Sequence, residues 1–162
     1  MYSTSTGSGA IALAVAHDRP NAAVTATDRS DAALSVAQEN ARRLSLSNVA
    51  FAAADWYAGV PAGLWDLIAS NPPYIDATDP HLREGDLRFE PVAALSPGVD
   101  GQMALRTIIA GARERLSPGG WLVVEHGHDQ SDAVRSLFRD AGFSDVTALR
   151  DLAGIPRVVA GR

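Results

Sequence analysis

A tetrapeptide in the middle of the sequence, Asn71-Pro72-Pro73-Tyr74, has residue types that suit the binding of a planar nitrogen nucleophile. The side-chain carbonyl of Asn71 can accept a hydrogen bond from an NH₂ group, and the main-chain carbonyl of Pro72 can accept a second one. Both prolines fix φ, so the two acceptors are held rigidly, and the ring of Tyr74 can stack on the flat target group. Two acceptors directed at an amide or amino nitrogen favour its pyramidal, more nucleophilic form as the transition state develops. The tetrapeptide therefore predicts a catalytic site at which such a nitrogen is the nucleophile.

A glycine-containing turn near the start, Thr6-Gly7-Ser8-Gly9, precedes a segment that we expect to be helical. Glycines let the main chain approach a ligand closely, and the first turn of a helix offers unpaired N–H groups. Asp28, about twenty residues further on and at the end of the next predicted strand, can accept the hydroxyl protons of a ribose. Together they predict an adenosine-containing ligand without saying which one, because Gly7-x-Gly9-x-x-Ala12 with Asp28 also satisfies the loose dinucleotide fingerprint. A glycine turn before an alanine-rich helix is the simpler alternative.

A third pair, Asp55-Trp56, follows the third predicted strand. A carboxylate can accept a hydrogen bond from the amino group of adenine, and an indole ring supplies apolar surface for the base. On its own such a pair is more often part of a core. In the company of Asp28 and the glycine turn it predicts contacts with adenine.

The elements that must position these residues alternate between helical and extended periodicity, which is typical of an α/β sheet. Predicted strands at 23–27, 49–52 and 64–70 run into Asp28, Asp55 and Asn71. The carboxyl end of a strand is the usual ligand edge of an open α/β sheet. Predicted helices cover Ala10–His17, a segment capped by Ser30, a segment from Leu105 to Leu116 that ends at Ser117-Pro118-Gly119-Gly120, and a segment that ends at Gly142. The polar stretch from Ile75 to about Val99 is predicted to be a loop that acts as a lid.

Composition narrows the classes of function. The chain has 162 residues and a net charge of −5, and all 14 basic residues are arginine. The length predicts a single domain over residues 1–162, and an acidic chain without basic runs argues against direct binding to nucleic acid. The absence of cysteine excludes disulfides and thiolate nucleophiles. The lack of a signal peptide or a long apolar run predicts a cytoplasmic protein without membrane association. No metal is expected, because His126 and His128 are too close in sequence to ligate one ion well.

Taken together, these motifs resemble class I S-adenosylmethionine-dependent methyltransferases, and most closely the peptide chain release factor glutamine methyltransferases. The four-residue motif alone is shared with DNA adenine and ribosomal RNA guanine methyltransferases, whereas the flanking matches favour the glutamine enzymes. These matches extend over nearly the whole chain and include Trp65-Asp66-Leu67-Ile68 before the tetrapeptide, Phe89-Glu90-Pro91, Asp100-Gly101, Leu116-Ser117-Pro118-Gly119-Gly120, Glu125-His126-Gly127-His128-Asp129-Gln130 and Asp151-Leu152-Ala153-Gly154. The resemblance implies a Rossmann-like fold: an open, mostly parallel, twisted α/β sheet with helices on both faces and its first strand largely missing.

The resemblance also implies a reaction and a role for each motif. A methyl group would pass from S-adenosylmethionine, which leaves as S-adenosylhomocysteine, to the amide N5 of the glutamine in the Gly-Gly-Gln motif of peptide chain release factors. The implied cofactor contacts are Thr6, Gly7, Ser8 and Gly9 for the methionine part, Asp28 for the ribose, and Asp55 and Trp56 for adenine. Asn71 is implied in both cofactor and substrate binding, and Pro72, Pro73 and Tyr74 complete the catalytic site.

The start of the sequence departs from this family. Where the family has Asp-Leu-Gly before the glycine turn, the chain has Ser3-Thr4-Ser5. The departure predicts an N-terminally truncated chain that lacks the helical domain with which the family docks its protein substrate. Three alternatives remain at this point: a DNA or RNA amino-methyltransferase that uses the same tetrapeptide, a nicotinamide-dinucleotide-binding domain, and an inactive fragment.

Overall fold

A computed structural model describes residues 1–60, 63–74 and 102–162 of the chain. Helices and strands alternate along it, as the periodicity predicts. In chain order they are β1 (Tyr2–Thr4), α1 (Ala10–Asp18), β2 (Val24–Asp28), α2 (Asp31–Arg43), β3 (Val49–Ala53), β4 (Trp65–Ser70), α3 (Met103–Ala112), a 3₁₀ turn (Arg113–Arg115), β5 (Leu116–Glu125), α4 (Ser131–Asp140), β6 (Thr147–Arg150) and β7 (Pro156–Gly161). The predicted lid at 75–99 and the family matches at 89–91 and 100–101 lie outside the described residues. The tetrapeptide Asn71–Tyr74, which precedes them, is described.

The described strands form a seven-stranded sheet in the order β3-β2-β1-β4-β5-β7-β6. Strand β1 pairs in parallel with β2 on one side and β4 on the other, and β2 pairs in parallel with β3. Strand β6 is antiparallel to β7. This mixed sheet with intervening helices confirms the predicted Rossmann-like α/β class.

The chain divides into two compact units. The first contains Met1–Asn71 and Glu114–Val123, and the second contains Pro72–Arg113 and Val124–Arg162. The prediction of one domain over residues 1–162 stays a prediction. Among the described residues, no helix combines the length and apolar character that crossing a bilayer requires.

The first strand is only three residues long, but it occupies the position between β2 and β4. All three of its residues are buried, with exposures of 2% or less. The register pairs Tyr2 with Thr25 on one side and with Ile68 on the other, and the Thr25 amide donates to the Met1 carbonyl. A short strand is sufficient here because its main chain is hydrogen-bonded along both edges. The position for which the sequence predicts a largely missing strand is therefore filled by the chain's own first residues.

The first unit packs the small apolar face of α1 against the middle of the sheet. Ala12 and Ala16 of α1 meet Val24 and Ala26 of β2, all with 2% exposure or less. Helix α2 begins where the sequence predicts, because the Ser30 hydroxyl accepts a hydrogen bond from the Ala33 amide at 3.2 Å and so caps the first turn. Burying alanines rather than larger residues lets the two elements approach closely.

The second unit buries one face of α3 and one face of α4. Leu105, Ile108 and Ile109 of α3 are buried as their spacing predicts. In α4 the buried residues are Val134 and Phe138, and the Phe138 ring lies 5.0 Å from that of Phe143. Gly142 follows α4 with a φ of +82°, which confirms it as the glycine that ends the helix.

The predicted end of the long helix is wrong. Helix α3 ends at Ala112, Leu116 begins β5, and residues 117–120 lie within that strand rather than in a helix-stopping loop. The physical reason is a close main-chain approach: a Cβ at Gly120 would lie 2.9 Å from the carbonyl oxygen of Trp65 in β4. Pairing of the sheet therefore outweighs the helical spacing that continues to Leu116.

Candidate active site

The turn between β1 and α1 has the conformation that its glycines allow. Gly7 and Gly9 both have positive φ, at +54° and +89°, and the Gly9 amide donates to the Thr6 carbonyl at 2.8 Å. A Cβ at Gly9 would lie 3.0 Å from Leu13 Cδ1 and 3.2 Å from the Ala37 Cβ, so a side chain has no room there. The position of a Cβ at Gly7, in contrast, has no atom within 4 Å. The turn is thus closed on its helix side and open at Gly7.

Asp28 is tied directly to this turn. Its Oδ2 accepts a hydrogen bond from the Gly7 amide at 3.0 Å, and its Oδ1 accepts one from the Ser30 amide at 3.0 Å. A carboxylate has about four acceptor positions, so each oxygen can still accept one further hydrogen bond. The two residues that the sequence predicts as cofactor contacts are therefore neighbours, and the carboxylate is oriented before any ligand arrives.

Two further polar side chains, those of Thr6 and Asn40, border the turn. The Thr6 hydroxyl is buried and has no hydrogen-bond partner within the described residues, which is uncommon for a buried hydroxyl. The Asn40 side-chain amide on α2 donates to the Ser8 carbonyl at 3.0 Å and fixes the outer side of the turn. An unsatisfied hydroxyl, an open position at Gly7 and an oriented carboxylate together fit the nucleoside-bearing cofactor that the motifs predict.

The Asp55-Trp56 pair lies in a tight turn after β3. The Ala58 amide donates to the Asp55 carbonyl at 2.9 Å and the Asp55 amide donates to the Ala58 carbonyl at 3.2 Å. Trp56 has a φ of +51°, a conformation that costs a non-glycine residue about 1–2 kcal/mol. The Asp55 side chain is exposed, and the Trp56 side chain is half-buried.

This strained turn is held by a residue that sequence reasoning missed. The hydroxyl of Tyr2, buried in β1, donates to the Trp56 carbonyl and also shares a hydrogen bond of 2.8 Å with the Thr27 hydroxyl. The Tyr2 ring packs between Tyr57 and Trp65 at centroid distances of 5.9 and 5.4 Å. Burial raises the pKa of the Tyr2 hydroxyl, so it stays a donor at neutral pH. The sequence gives no signal for this contact, because the first strand is predicted to be largely missing and Tyr2 and Trp56 are 54 residues apart.

Asn71 directly follows β4 at the carboxyl edge of the sheet. Because β1, β2, β3 and β4 are parallel, this is the edge at which the glycine turn, Asp28 and Asp55 also lie. The Asn71 side chain is exposed and forms no hydrogen bond within the described part of the chain, so its carbonyl is available as an acceptor. The end of β4 is fixed against β1 by the Ser70 hydroxyl, which donates to the Thr4 carbonyl at 3.2 Å.

The remaining residues of the tetrapeptide, Pro72–Tyr74, belong to the second unit. Pro72 and Pro73 are buried, and Tyr74 is half-buried. The Tyr74 hydroxyl donates to Glu125 Oε1 at 3.0 Å, and the Gln130 side-chain amide donates to the Tyr74 carbonyl at 3.2 Å. Burial, together with the negative charge of Glu125, raises the pKa of Tyr74 to about 12. The Tyr74 hydroxyl is therefore protonated at neutral pH and acts as a donor, not as a base.

The segment after β5 shows no arrangement for a metal ion. Among the described residues, no cluster of histidine, aspartate and glutamate side chains has the geometry of a metal site. His126 is buried with its Nδ1 2.8 Å from the Gly127 carbonyl, and Glu125 accepts from Tyr74. The expectation that no metal takes part stays a prediction.

Ser5, at the position where the resemblance implies a glycine, has the main-chain conformation of a glycine. Ser5 has a φ of +55°, in the left-handed region that L-residues adopt at a cost of about 1–2 kcal/mol. We therefore expect Ser5→Gly to raise the free energy of unfolding by about 1 kcal/mol, measured by urea denaturation. Ser35→Gly in the middle of α2 is the control with the opposite sign, because glycine lowers helix stability. A loss of stability in Ser5→Gly comparable to that in Ser35→Gly would contradict the assignment of strain to Ser5.

The fold and this arrangement define a methyltransferase domain. The family model described as "Methyltransferase small domain" matches residues 4–84, which are 81 of the 162 residues, and the chain belongs to that family. Two solved structures share the fold over 99% of the chain. A ribosomal protein L11 methylase from Lactobacillus delbrueckii subsp. bulgaricus has a TM-score of 0.72 at 23% identity, with 67% of its chain covered. A methyltransferase from Pyrococcus furiosus has a TM-score of 0.74 at 20% identity, with 73% of its chain covered.

Relatives with higher sequence identity than these two structures share a single name. Proteins named release factor glutamine methyltransferase match 97% of the chain at 55% identity in Xylella fastidiosa (strain Temecula1), 50% in Salmonella typhimurium and 45% in Escherichia coli (strain K12). These matches confirm the resemblance that the motifs indicate. The chain spans 57% of the length of these curated relatives.

Proposed function

We propose that this chain is the catalytic part of an S-adenosylmethionine-dependent methyltransferase that modifies the side-chain amide N5 of glutamine in the Gly-Gly-Gln motif of peptide chain release factors. One observation carries the proposal: Asn71, whose side-chain amide is unpaired within the described residues, directly follows β4 at the edge that also holds the Gly7–Asp28 pair. The name shared by relatives at 45–55% identity supports the choice of glutamine as the methyl acceptor.

The cofactor is held by residues of the first unit. Main-chain groups of Thr6, Gly7, Ser8 and Gly9 accommodate its methionine part, Asp28 accepts the ribose hydroxyls, and Asp55 and Trp56 flank adenine. The buried, unpartnered Thr6 hydroxyl and the open position at Gly7 support this assignment. When bound, S-adenosylmethionine supplies an electrophilic methyl group on a sulfonium centre. The reaction consumes it and leaves S-adenosylhomocysteine.

The motif residues bind and orient the acceptor amide. The Asn71 side-chain carbonyl and the Pro72 main-chain carbonyl each accept one N–H of the glutamine NH₂ group, and the two prolines keep these acceptors fixed. Tyr74 contributes an aromatic wall, and its hydroxyl remains bonded to Glu125. With the cofactor bound, the amide nitrogen would donate its electron pair to the methyl carbon as the carbon–sulfur bond breaks and its electron pair stays on sulfur, and the amide proton would then leave to water. Positioning of the acceptor amide and the fixed dipoles around it supply the rate enhancement of methyl transfer, and no general base is required.

The macromolecular partner in this proposal is a protein, not a nucleic acid. The net charge of −5 and the lack of lysine in the sequence support a substrate other than a phosphate backbone. A release factor as substrate implies activity in the cytoplasm, where translation terminates.

The test is mass spectrometry of a release factor and of a short Gly-Gly-Gln peptide after incubation with the chain and S-adenosylmethionine. We expect one methyl group on the motif glutamine. A methyl group on adenine in a DNA or RNA substrate, with none on glutamine, would instead support the hypothesis of a DNA or RNA amino-methyltransferase. Calorimetric titration of S-adenosylhomocysteine and of NAD separates the methyltransferase from the dinucleotide-binding alternative, and an inactive fragment would bind neither tightly.

A further inference from the structure

Tyr74, the last residue of the motif, is held at two points by one short segment of the second unit. Its hydroxyl donates to Glu125 Oε1 at 3.0 Å, and its carbonyl accepts from Gln130 Nε2 at 3.2 Å. Glu125 is the last residue of β5, and Gln130 immediately precedes α4. Two anchors at opposite ends of one residue restrict both the main chain and the ring, whereas either one alone would leave a rotation free.

The Gln130 side chain is itself fixed from both ends. Its Oε1 accepts a hydrogen bond from the Gly127 amide at 2.9 Å, while the Gln130 main-chain amide donates to the Gly127 carbonyl at 3.0 Å. The side-chain amide plane is therefore set, and its Nε2 is directed at Tyr74. Gly127 leaves the space that this requires, because a Cβ there would lie 3.1 Å from Gln130 Oε1.

Helix capping does not account for the Gln130 side chain. Gln130 is in the N-cap position of α4, but its side chain accepts no hydrogen bond from the first turn of that helix. The same side chain could have capped α4, and it instead connects Gly127 to Tyr74, 56 residues away in sequence. Its Nε2 contacts the motif and its Oε1 contacts Gly127, so neither polar atom caps the helix.

We propose that Gln130 is a positioning residue for catalysis: it holds Tyr74 in the orientation with which the ring contacts the acceptor amide, and Glu125 fixes the same ring through its hydroxyl. This inference rests on the proposed function, in which Tyr74 forms a wall of the acceptor site. Gln130 touches neither reacting atom. It acts through Tyr74, so its effect is on the rate of transfer more than on cofactor affinity.

Gln130→Glu removes the donated hydrogen bond, keeps the accepted one and adds a negative charge. Glutamate keeps an oxygen that accepts from the Gly127 amide, but it loses the N–H that donates to the Tyr74 carbonyl. Gln130→Met removes both polar contacts without adding a charge. The matched control is Gln38→Glu, which makes the same chemical change at an exposed position of α2 in the first unit.

The first readout is the position of the Tyr74 ring, which is monitored by NMR of ¹³C-labelled tyrosine. The chain has three tyrosines, and Tyr74→Phe assigns the signal. We expect both Gln130 variants to shift or broaden the Tyr74 signal, while Gln38→Glu leaves it unchanged.

The second readout is methylation of a Gly-Gly-Gln peptide, for which we expect kcat to fall about tenfold in both Gln130 variants. The dissociation constant of S-adenosylhomocysteine should change by less than about twofold.

An unchanged Tyr74 signal in both Gln130 variants would overturn the inference. So would a loss of kcat matched by equal losses in S-adenosylhomocysteine affinity and melting temperature, because that result describes a merely structural residue. If the Tyr74 signal moves as expected but the unsubstituted chain methylates no glutamine, the positioning of Tyr74 by Gln130 stands and the proposed function fails.

Discussion

Asn71→Ala is expected to lower kcat for glutamine methylation by about 10²- to 10³-fold, the loss found when one fixed polar group is removed from a transition-state site. The side-chain carbonyl of Asn71 is one of two proposed acceptors for the amide N–H groups, and alanine leaves only the Pro72 carbonyl. Asn71 is exposed and unpaired within the described residues, so its truncation removes no contact that holds the fold. Mass spectrometry of the methylated Gly-Gly-Gln peptide over time gives kcat and KM.

Cofactor binding separates this effect from a general loss of the site. Asn71 is also proposed to contact the cofactor, so the affinity for S-adenosylhomocysteine should fall by only a few-fold, far less than kcat. Asn21→Ala is the matched control: Asn21 is exposed and precedes β2, at the edge of the sheet opposite to Asn71. Unchanged methylation in Asn71→Ala would show that the catalytic site is assigned to the wrong residues.

Asp28→Asn is expected to weaken S-adenosylhomocysteine binding by about tenfold to a hundredfold, because charge-assisted hydrogen bonds to the ribose are replaced by weaker neutral ones. The substitution also disturbs the turn. Two main-chain amides, those of Gly7 and Ser30, each donate to a separate oxygen of Asp28, and asparagine has only one oxygen. One amide would then face an NH₂ group, at a cost of about 1–3 kcal/mol in the free energy of unfolding. Isothermal calorimetry and urea denaturation measure the two effects.

Asp31→Asn controls for the loss of a negative charge near the same helix. Asp31 is exposed in the first turn of α2, where removal of its charge should cost only about 0.3–1 kcal/mol of stability. Cofactor affinity should be unchanged in that variant. Equal affinity for S-adenosylhomocysteine in Asp28→Asn and the unsubstituted chain would exclude Asp28 from the cofactor site.

Features that depend on neighbouring residues could be predicted from the sequence. The cap at Ser30, the glycine that ends α4 and the buried face of α3 each follow from spacings within a turn or two of helix, and the structure confirms them. Strand ends at Asp28 and Asn71 were also predictable, because short β-rich segments run directly into these polar residues. Their approach to one edge follows from parallel pairing, which the alternation of elements already implies.

Contacts between distant residues could not be predicted in the same way. The end of α3 at Ala112 was missed because the approach of Gly120 to Trp65, and not the local pattern, sets the start of β5. The hydrogen bond from Tyr2 to Trp56 joins residues 54 positions apart, and the one from Gln130 to Tyr74 joins residues 56 positions apart. A polar or aromatic side chain has many candidate partners at such distances, and only the folded chain selects one.

The sequence by itself determined which residue types are available for the proposed chemistry: oxygens that could accept an amide N–H, a carboxylate that could bind a ribose, and strands that end beside them. The tertiary structure decided how firmly those groups are held. It formed the middle strand from Tyr2–Thr4 despite a poor strand signal, placed Ser5 in the conformation of a glycine, and joined Asp28 to the Gly7 amide. Residue types and short spacings fix chemical capability, whereas orientation arises from main-chain pairing and burial, which act between residues far apart in the chain.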